Sequence, residues 1–132
     1  MKTVSIVMLG TLITVWNVSA SNAQIPNPPG IKLDHYACYR VSPVRPFNPK
    51  RVKLADQFGN SVAVVMREAF LCAPVEKNNE PIKDKEAHLV CYTVTGGRNA
   101  AKTVAVINQF GTANLRVGGT VQLCVPSLKK VL

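Results

Sequence analysis

Carboxylates are scarce in this chain, and recognisable catalytic patterns are missing. Seven Asp and Glu stand against 16 Lys and Arg in 132 residues, a formal net charge of +9. Four of the seven, Glu76, Glu80, Asp84 and Glu86, share one short stretch, and none follows Glu86. The rest are scattered singly, so no carboxylate pair is placed for glycosyl or acid–base chemistry. There is no Gly-x-Ser-x-Gly, no His-Glu-x-x-His and no phosphate-cradling glycine loop. These absences predict a protein that is not an enzyme and uses no cofactor. Helical periodicity is absent from Asp34 onward. No apolar run approaches the roughly 20 residues that a membrane-spanning helix needs.

The apolar run that does occur, Val4 to Trp16, follows the basic start Met1-Lys2 and precedes two small-residue cleavage sites, Val18-Ser19-Ala20 and Ser21-Asn22-Ala23. This is the pattern of a cleavable signal peptide, residues 1–23, and it predicts a secreted or extracytoplasmic protein beginning at Gln24. Residues 24–33 hold Pro26, Pro28, Pro29 and Gly30 and read as an extended arm.

The remainder, residues 34–130, is one unit written twice. His35-Tyr36-Ala37-Cys38-Tyr39-Arg40-Val41 returns 53 residues later as His88-Leu89-Val90-Cys91-Tyr92-Thr93-Val94. Gln57-Phe58-Gly59 returns as Gln109-Phe110-Gly111, and Leu71-Cys72-Ala73-Pro74 as Leu123-Cys124-Val125-Pro126, both at an offset of 52. Repeat one covers 34–75, a polar linker 76–87, and repeat two 88–130. Short runs rich in Val, Leu, Tyr and Phe, punctuated by Gly, Pro and Asn, predict four strands in each repeat. They lie near 35–42, 52–56, 61–67 and 69–74, then 88–95, 103–108, 113–117 and 120–125. The expected fold is all-β, an eight-stranded sandwich or small barrel built from two tandem four-stranded repeats.

Each Gln-Phe-Gly falls at a hairpin turn, where Gly59 and Gly111 supply a positive φ and Phe58 and Phe110 fold back on the sheet end. Alternation along the strands predicts that Ala113, Leu115 and Val117 face the core, as do Ser61, Ala63 and Val65 in repeat one. Val62, Val64 and Met66 are then left on an apolar outer face. The arm, the linker or a protein partner would cover it.

Cys38, Cys72, Cys91 and Cys124 are an even set in an exported chain, which predicts two disulfides. Four cysteines allow three connectivities. Loops of nearly equal length favour Cys38 with Cys72 and Cys91 with Cys124, and a pairing across the repeats is compatible with the sequence. His35 and His88 each stand three residues before a cysteine, but positions i and i+3 of a strand face opposite sides. No metal site is expected, and each histidine should start a strand and bond a neighbouring loop.

The repeats differ most between their first two strands. Repeat two has the plain loop Thr95 to Lys102. Repeat one has Ser42-Pro43-Val44-Arg45-Pro46-Phe47-Asn48-Pro49-Lys50-Arg51, and with Arg40 and Lys53 it gathers five cations, Arg40, Arg45, Lys50, Arg51 and Lys53, without a carboxylate. A proline-stiffened cationic loop suits phosphate, carboxylate or sulfate.

His-x-x-Cys-Tyr-x-Val, the Gln-Phe-Gly turn, Leu-Cys-x-Pro-Val-x-Lys-Asn and the closing Leu-Cys-Val-Pro-Ser-x-Lys resemble an uncharacterised domain-of-unknown-function family of exported prokaryotic proteins. The resemblance implies an extracytoplasmic, two-repeat, disulfide-bearing β domain and brings no site residues with it. The functional expectation is a binding or surface-associated module for an anionic glycan, cell-wall polymer or lipid surface. The alternative is an assembly protein meeting a protein partner through Val62, Val64 and Met66. Export argues against nucleic acid.

Overall fold

The computed structural model describes residues 32–132. The expected signal peptide, residues 1–23, and all but the last two residues of the expected arm, 24–33, lie outside that range. Seven strands follow one another without a helix among the described residues: β1 His35–Arg40, β2 Lys50–Asp56, β3 Gly59–Val75, β4 His88–Gly96, β5 Asn99–Asn108, β6 Gly111–Gly119 and β7 Gln122–Ser127. Five form one antiparallel sheet in the order β1-β3-β4-β7, with β2 also on β3, and β5 and β6 form a second sheet of two. The path of the larger sheet is open at both ends, so the closed barrel among the expectations is not formed.

Seven strands replace the expected eight because the two repeats treat one junction differently. Both use the same pairings: the second strand with the third as a hairpin, and the first with the fourth. In repeat one the third and fourth strands are a single 17-residue strand, β3. It passes through Arg67-Glu68-Ala69 by two bulges and does not break. In repeat two the same junction is Gly118-Gly119-Thr120-Val121, and glycine weakens a strand interior. The ladder ends there, and β6 leaves with β5 as a separate ribbon while β7 stays on β4. The plain loop expected at 95–102 is mostly strand. Only Gly97 and Arg98 separate β4 from β5, with Gly96 and Gly97 at φ of 73° and 82°.

The hairpin turns behave as glycine requires. Asp56 pairs with Gly59 and Asn108 with Gly111, leaving two-residue loops. Gly59 and Gly111 have φ of 119° and 115°. The Asp56 and Asn108 side chains each accept the backbone N–H two residues on, at 2.7 and 2.8 Å, closing Asx turns.

The core is small. Ala63, Val65 and Val94 are buried, with Phe47, Val52, Leu54, Tyr92 and Leu123 packed against them. Ala63 and Val65 therefore face inward as expected. Leu115 does not. It shares a ribbon face with Val104 but is 49 % exposed. The ribbon is held at its ends instead. At its base Gly97 N–H donates to Val62 O at 3.0 Å.

The tip is held by Gln109, whose side-chain amide donates to both carboxylate oxygens of Glu80, at 3.0 and 3.1 Å. His35 Nε2 donates to Glu80 Oε2 at 3.0 Å. The amide nitrogen also lies 3.1 Å from His35 Nε2. With that nitrogen protonated toward Glu80, the pair is a contact between two donors. A flipped amide would set its oxygen against the carboxylate, so charge fixes its orientation. Glu80 is delivered by a tight turn in which Asn78 and Asn79 take φ of 51° and 64°, a conformation asparagine tolerates. Asp34 ties down the rest of the linker by accepting the N–H groups of Lys83 and Asp84, both at 2.9 Å.

Disulfides join Cys38 to Cys72 and Cys91 to Cys124, the pairing that loop length favours. In each case the partners are directly opposite in the ladder. Cys72 Sγ and Cys91 Sγ are 3.7 Å apart. Neither carries a proton, so this is a van der Waals contact between two adjacent bridges. Together they link β1, β3, β4 and β7 into one row. Bridges closing loops of 34 and 33 residues stabilise by about 3–4 kcal/mol each, more than burying a valine, about 1.5–3 kcal/mol. With so few buried side chains, the bridges rank with the core.

Replacing Cys91 and Cys124 together by alanine should lower the unfolding free energy in urea by about 3 kcal/mol; a loss below about 1 kcal/mol would show that packing alone holds β7. Acid should act through the linker. The backbone donors of Lys83 and Asp84 hold Asp34 below its ordinary 3.8, and His35, with Lys77, holds Glu80 below its ordinary 4.5. Both contribute stability above the ordinary carboxylate range that is lost as pH falls through the lowered folded-state values. Thermal melting between neutral pH and strong acid should show this decline. Asp34→Asn with Glu80→Gln should melt lower at neutral pH and show a shallower decline; an unchanged slope would remove these two groups as its cause.

Candidate functional site

Residues directly opposite in an antiparallel ladder share a face, and this decides where the cations go. On β2, Lys50, Val52 and Leu54 point one way, with Val52 and Leu54 against the core. Arg51 and Lys53 point the other way, and their partners on β3 are Val64 and Val62. The two sets that the sequence offers as alternatives, an anion site and an apolar interface, are thus interleaved on one surface. Val62 is 47 % exposed.

The bulges of β3 extend this surface. Each inserts one residue and reverses the alternation beyond it. The first, at Met66, sends Arg67 to the side of Thr93, the face that Thr95 shares with Val64. The second, at Ala69, places Phe70 opposite Cys91 on that side. Arg40 is opposite Phe70 and lies over its ring, 5.5 Å from the centroid, in a cation–π contact. Arg40, Arg51, Lys53 and Arg67 therefore occupy one face, with Val62, Val64, Thr93 and Thr95 between them. The carboxylates of the sheet, Asp56 and Glu68, are on the other face by register. No ion pair among the described residues engages the four cations.

The five cations expected to act together are divided. Arg40, Arg51 and Lys53 belong to this face. Lys50 is opposite Val65 on the core side. Arg45 stays with its loop, which folds over the core. Phe47 packs on Tyr92 with centroids 5.3 Å apart, and Arg45 lines a separate cavity with Val44, Glu68 and Val90. The prolines shape a core lid, not a cationic finger. Arg67 escapes sequence reasoning because plain alternation from Ala63 and Val65 turns it inward. Its flanking bulges have no signature in Met66 or Ala69.

Both histidines begin strands and bond loops. His35 reaches Glu80, and buried His88 donates from Nδ1 to Glu86 O at 3.2 Å. All four sulfurs are in disulfides, leaving no thiolate. Among the described residues no group of three or more His, Cys, Asp or Glu converges. Phe110 does not fold back on the sheet end as expected: it is 87 % exposed, while Phe58 is half-buried.

No curated protein matches the chain, and no solved structure matches it. Residues 12–126, most of the chain, match the family described as a repeat of unknown function, DUF7450, and the chain belongs to that family.

Proposed function

We propose that the protein is a secreted, non-catalytic module that docks on an anionic surface through the face bearing Arg40, Arg51, Lys53 and Arg67. The observation that carries this reading is the register of β2 on β3, which sets Arg51 beside Val64 and Lys53 beside Val62. Cations alone suit any polyanion. Cations with exposed Val62 and half-buried Val64 between them suit a lipid membrane, where headgroups meet the charges and the apolar residues enter the interface. A hydrated wall polymer or anionic glycan would use the charges and leave the valines idle. Two disulfides fit an oxidising compartment, and the apolar run from Val4 to Trp16 fits export to one.

The same face supports a second reading, an interface for another protein, because exposed apolar residues with arginine are common at interface centres. Salt separates the two. Electrostatic docking weakens steeply as salt rises, whereas an apolar protein interface persists.

In vesicle co-sedimentation the oxidised protein should bind phosphatidylglycerol-containing vesicles and leave phosphatidylcholine vesicles free. A cation near such a surface contributes about 1 kcal/mol, so Arg51→Gln with Lys53→Gln should weaken binding about 30-fold. Arg45→Gln with Lys50→Gln should have little effect. Equal losses in the two double variants would reduce the face to bulk charge. Equal binding to both vesicle types would overturn the reading.

A further inference from the structure

The two copies of the Gln-Phe-Gly turn are used in opposite ways. In the first, Gln57 is exposed and Phe58 half-buried. In the second, Gln109 is 7 % exposed and Phe110 87 %. Glu80 and His35 draw the Gln109 amide inward, and the ring beside it is presented to solvent. Phe110 stands at the mouth of a cavity of about 450 Å³ between the start of β1, the end of β3 and the ribbon tip. That volume is within the usual range for a small-molecule site. The cavity lies at the opposite end of β3 from Arg51 and Lys53, which flank its first residues.

Leu33, Tyr36, Val75 and Phe110 give the cavity an apolar lining with two aromatic rings, and Glu76, Lys77 and Asn108 add both donors and acceptors. Gln109 also lines it and keeps a buried carbonyl oxygen, Oε1, with no hydrogen-bond partner among the described residues.

We infer that this cavity is a binding subsite for a neutral saccharide, with Phe110 as its stacking platform. Charge selects that class. A bare anion entering the cavity meets Asp34 and Glu76. A bare cation meets the Lys77 ammonium, which lines the cavity with its Nζ 5.8 Å from the Phe110 ring centroid. Of the carboxylates beside it, Asp34 is engaged by backbone N–H groups and Glu80 by His35 and Gln109, which leaves Glu76 as the acceptor. Sugar hydroxyls are donors and acceptors at once and match the mixed set that remains. The face of a sugar ring carries C–H groups of slight positive charge, which the negative face of an aromatic ring attracts. An 87 % exposed phenylalanine beside amide and ammonium groups supplies both halves of that recognition.

The test is titration of the ¹⁵N-labelled, oxidised protein with cellotetraose, maltotetraose and chitotetraose, followed by amide shifts at low and high salt. At least one should shift Tyr36, Lys77, Asn108 and Phe110, with an affinity that salt does not change. Phe110→Ala should weaken it about two- to tenfold, the value of one aromatic contact, and Phe110→Trp should retain it. The ring is exposed, so the alanine variant should melt with the wild type, and lost binding then reports the platform and not unfolding. No shift with any of the three, or shifts unchanged in Phe110→Ala, would overturn the inference. So would binding confined to a sulfated saccharide such as heparin tetrasaccharide and abolished by salt, which would return the ligand to the cationic face.

Discussion

The continuity of β3 is the constraint on which the other elements depend. It runs 17 residues and carries β2 and then β1 along one edge, and β4 along the other. A strand of that length would hold one alternation from end to end if it were regular. Two bulges reverse it twice, so Ala63, Val65 and Leu71 share the core side while Arg67 between them is turned out. Without the first bulge Arg67 would enter the small core. Without the second, Leu71 and Cys72 would exchange faces, and Cys72 could not meet the Cys91–Cys124 bridge. Core packing, sulfur contact and surface charge therefore share one cause.

The disulfides complement the thinness of the core. Residues that β-sheets elsewhere bury between two layers are here half-covered by a proline-bearing lid, with Phe47 as its anchor, and by a ribbon held at base and tip. Such a layer buries little apolar area, and area sets hydrophobic stabilisation. Two bridges placed directly across the ladder hold the first and fourth strands of each repeat together. Cys72 and Cys91, the inner sulfurs, are among the most buried residues, at 3 and 2 % exposure. The bridges are thus also part of the packing on the face they occupy.

Much of this was legible in the sequence. Repetition of His-x-x-Cys-Tyr and Leu-Cys-x-Pro placed each cysteine on the first and fourth strands of its own unit, and equal loops favoured the pairing found. Gly59 and Gly111 announced their turns because few other residues take a positive φ there. Alternation put Ala63 and Val65 inward correctly. What was not legible is whatever depends on a tertiary partner. Leu115 reads as a core residue and is half-exposed, because Gly118-Gly119 lets its strand leave the sheet. Phe110 reads as a copy of Phe58 and is turned outward, because only Gln109 meets a carboxylate supplied by the linker. Arg67 reads as inward because a bulge has no composition.

The two repeats have kept a common backbone and divided its uses. The cations of the outer face all lie in repeat one. Their equivalents in repeat two are Thr93 for Arg40, Thr103 for Arg51, Ala105 for Lys53 and Gly119 for Arg67, and none is charged. Val62 and Val64 correspond to Asn114 and Arg116, polar residues exposed on the ribbon. Conversely, Gln109 is fixed by Glu80, and Gln57 is exposed. Shared features, namely the first–fourth pairing, its bridge and the glycine turn, are those that a hairpin unit needs in order to fold. Unshared features are the one-signed face in repeat one, of which only Arg40 makes a contact across that pairing, on Phe70, and the presented ring in repeat two. The repeated unit supplies two scaffolds with the same strand pairings, one continuous at its third–fourth junction and one split there, and the two surfaces differ in the side chains carried on those pairings.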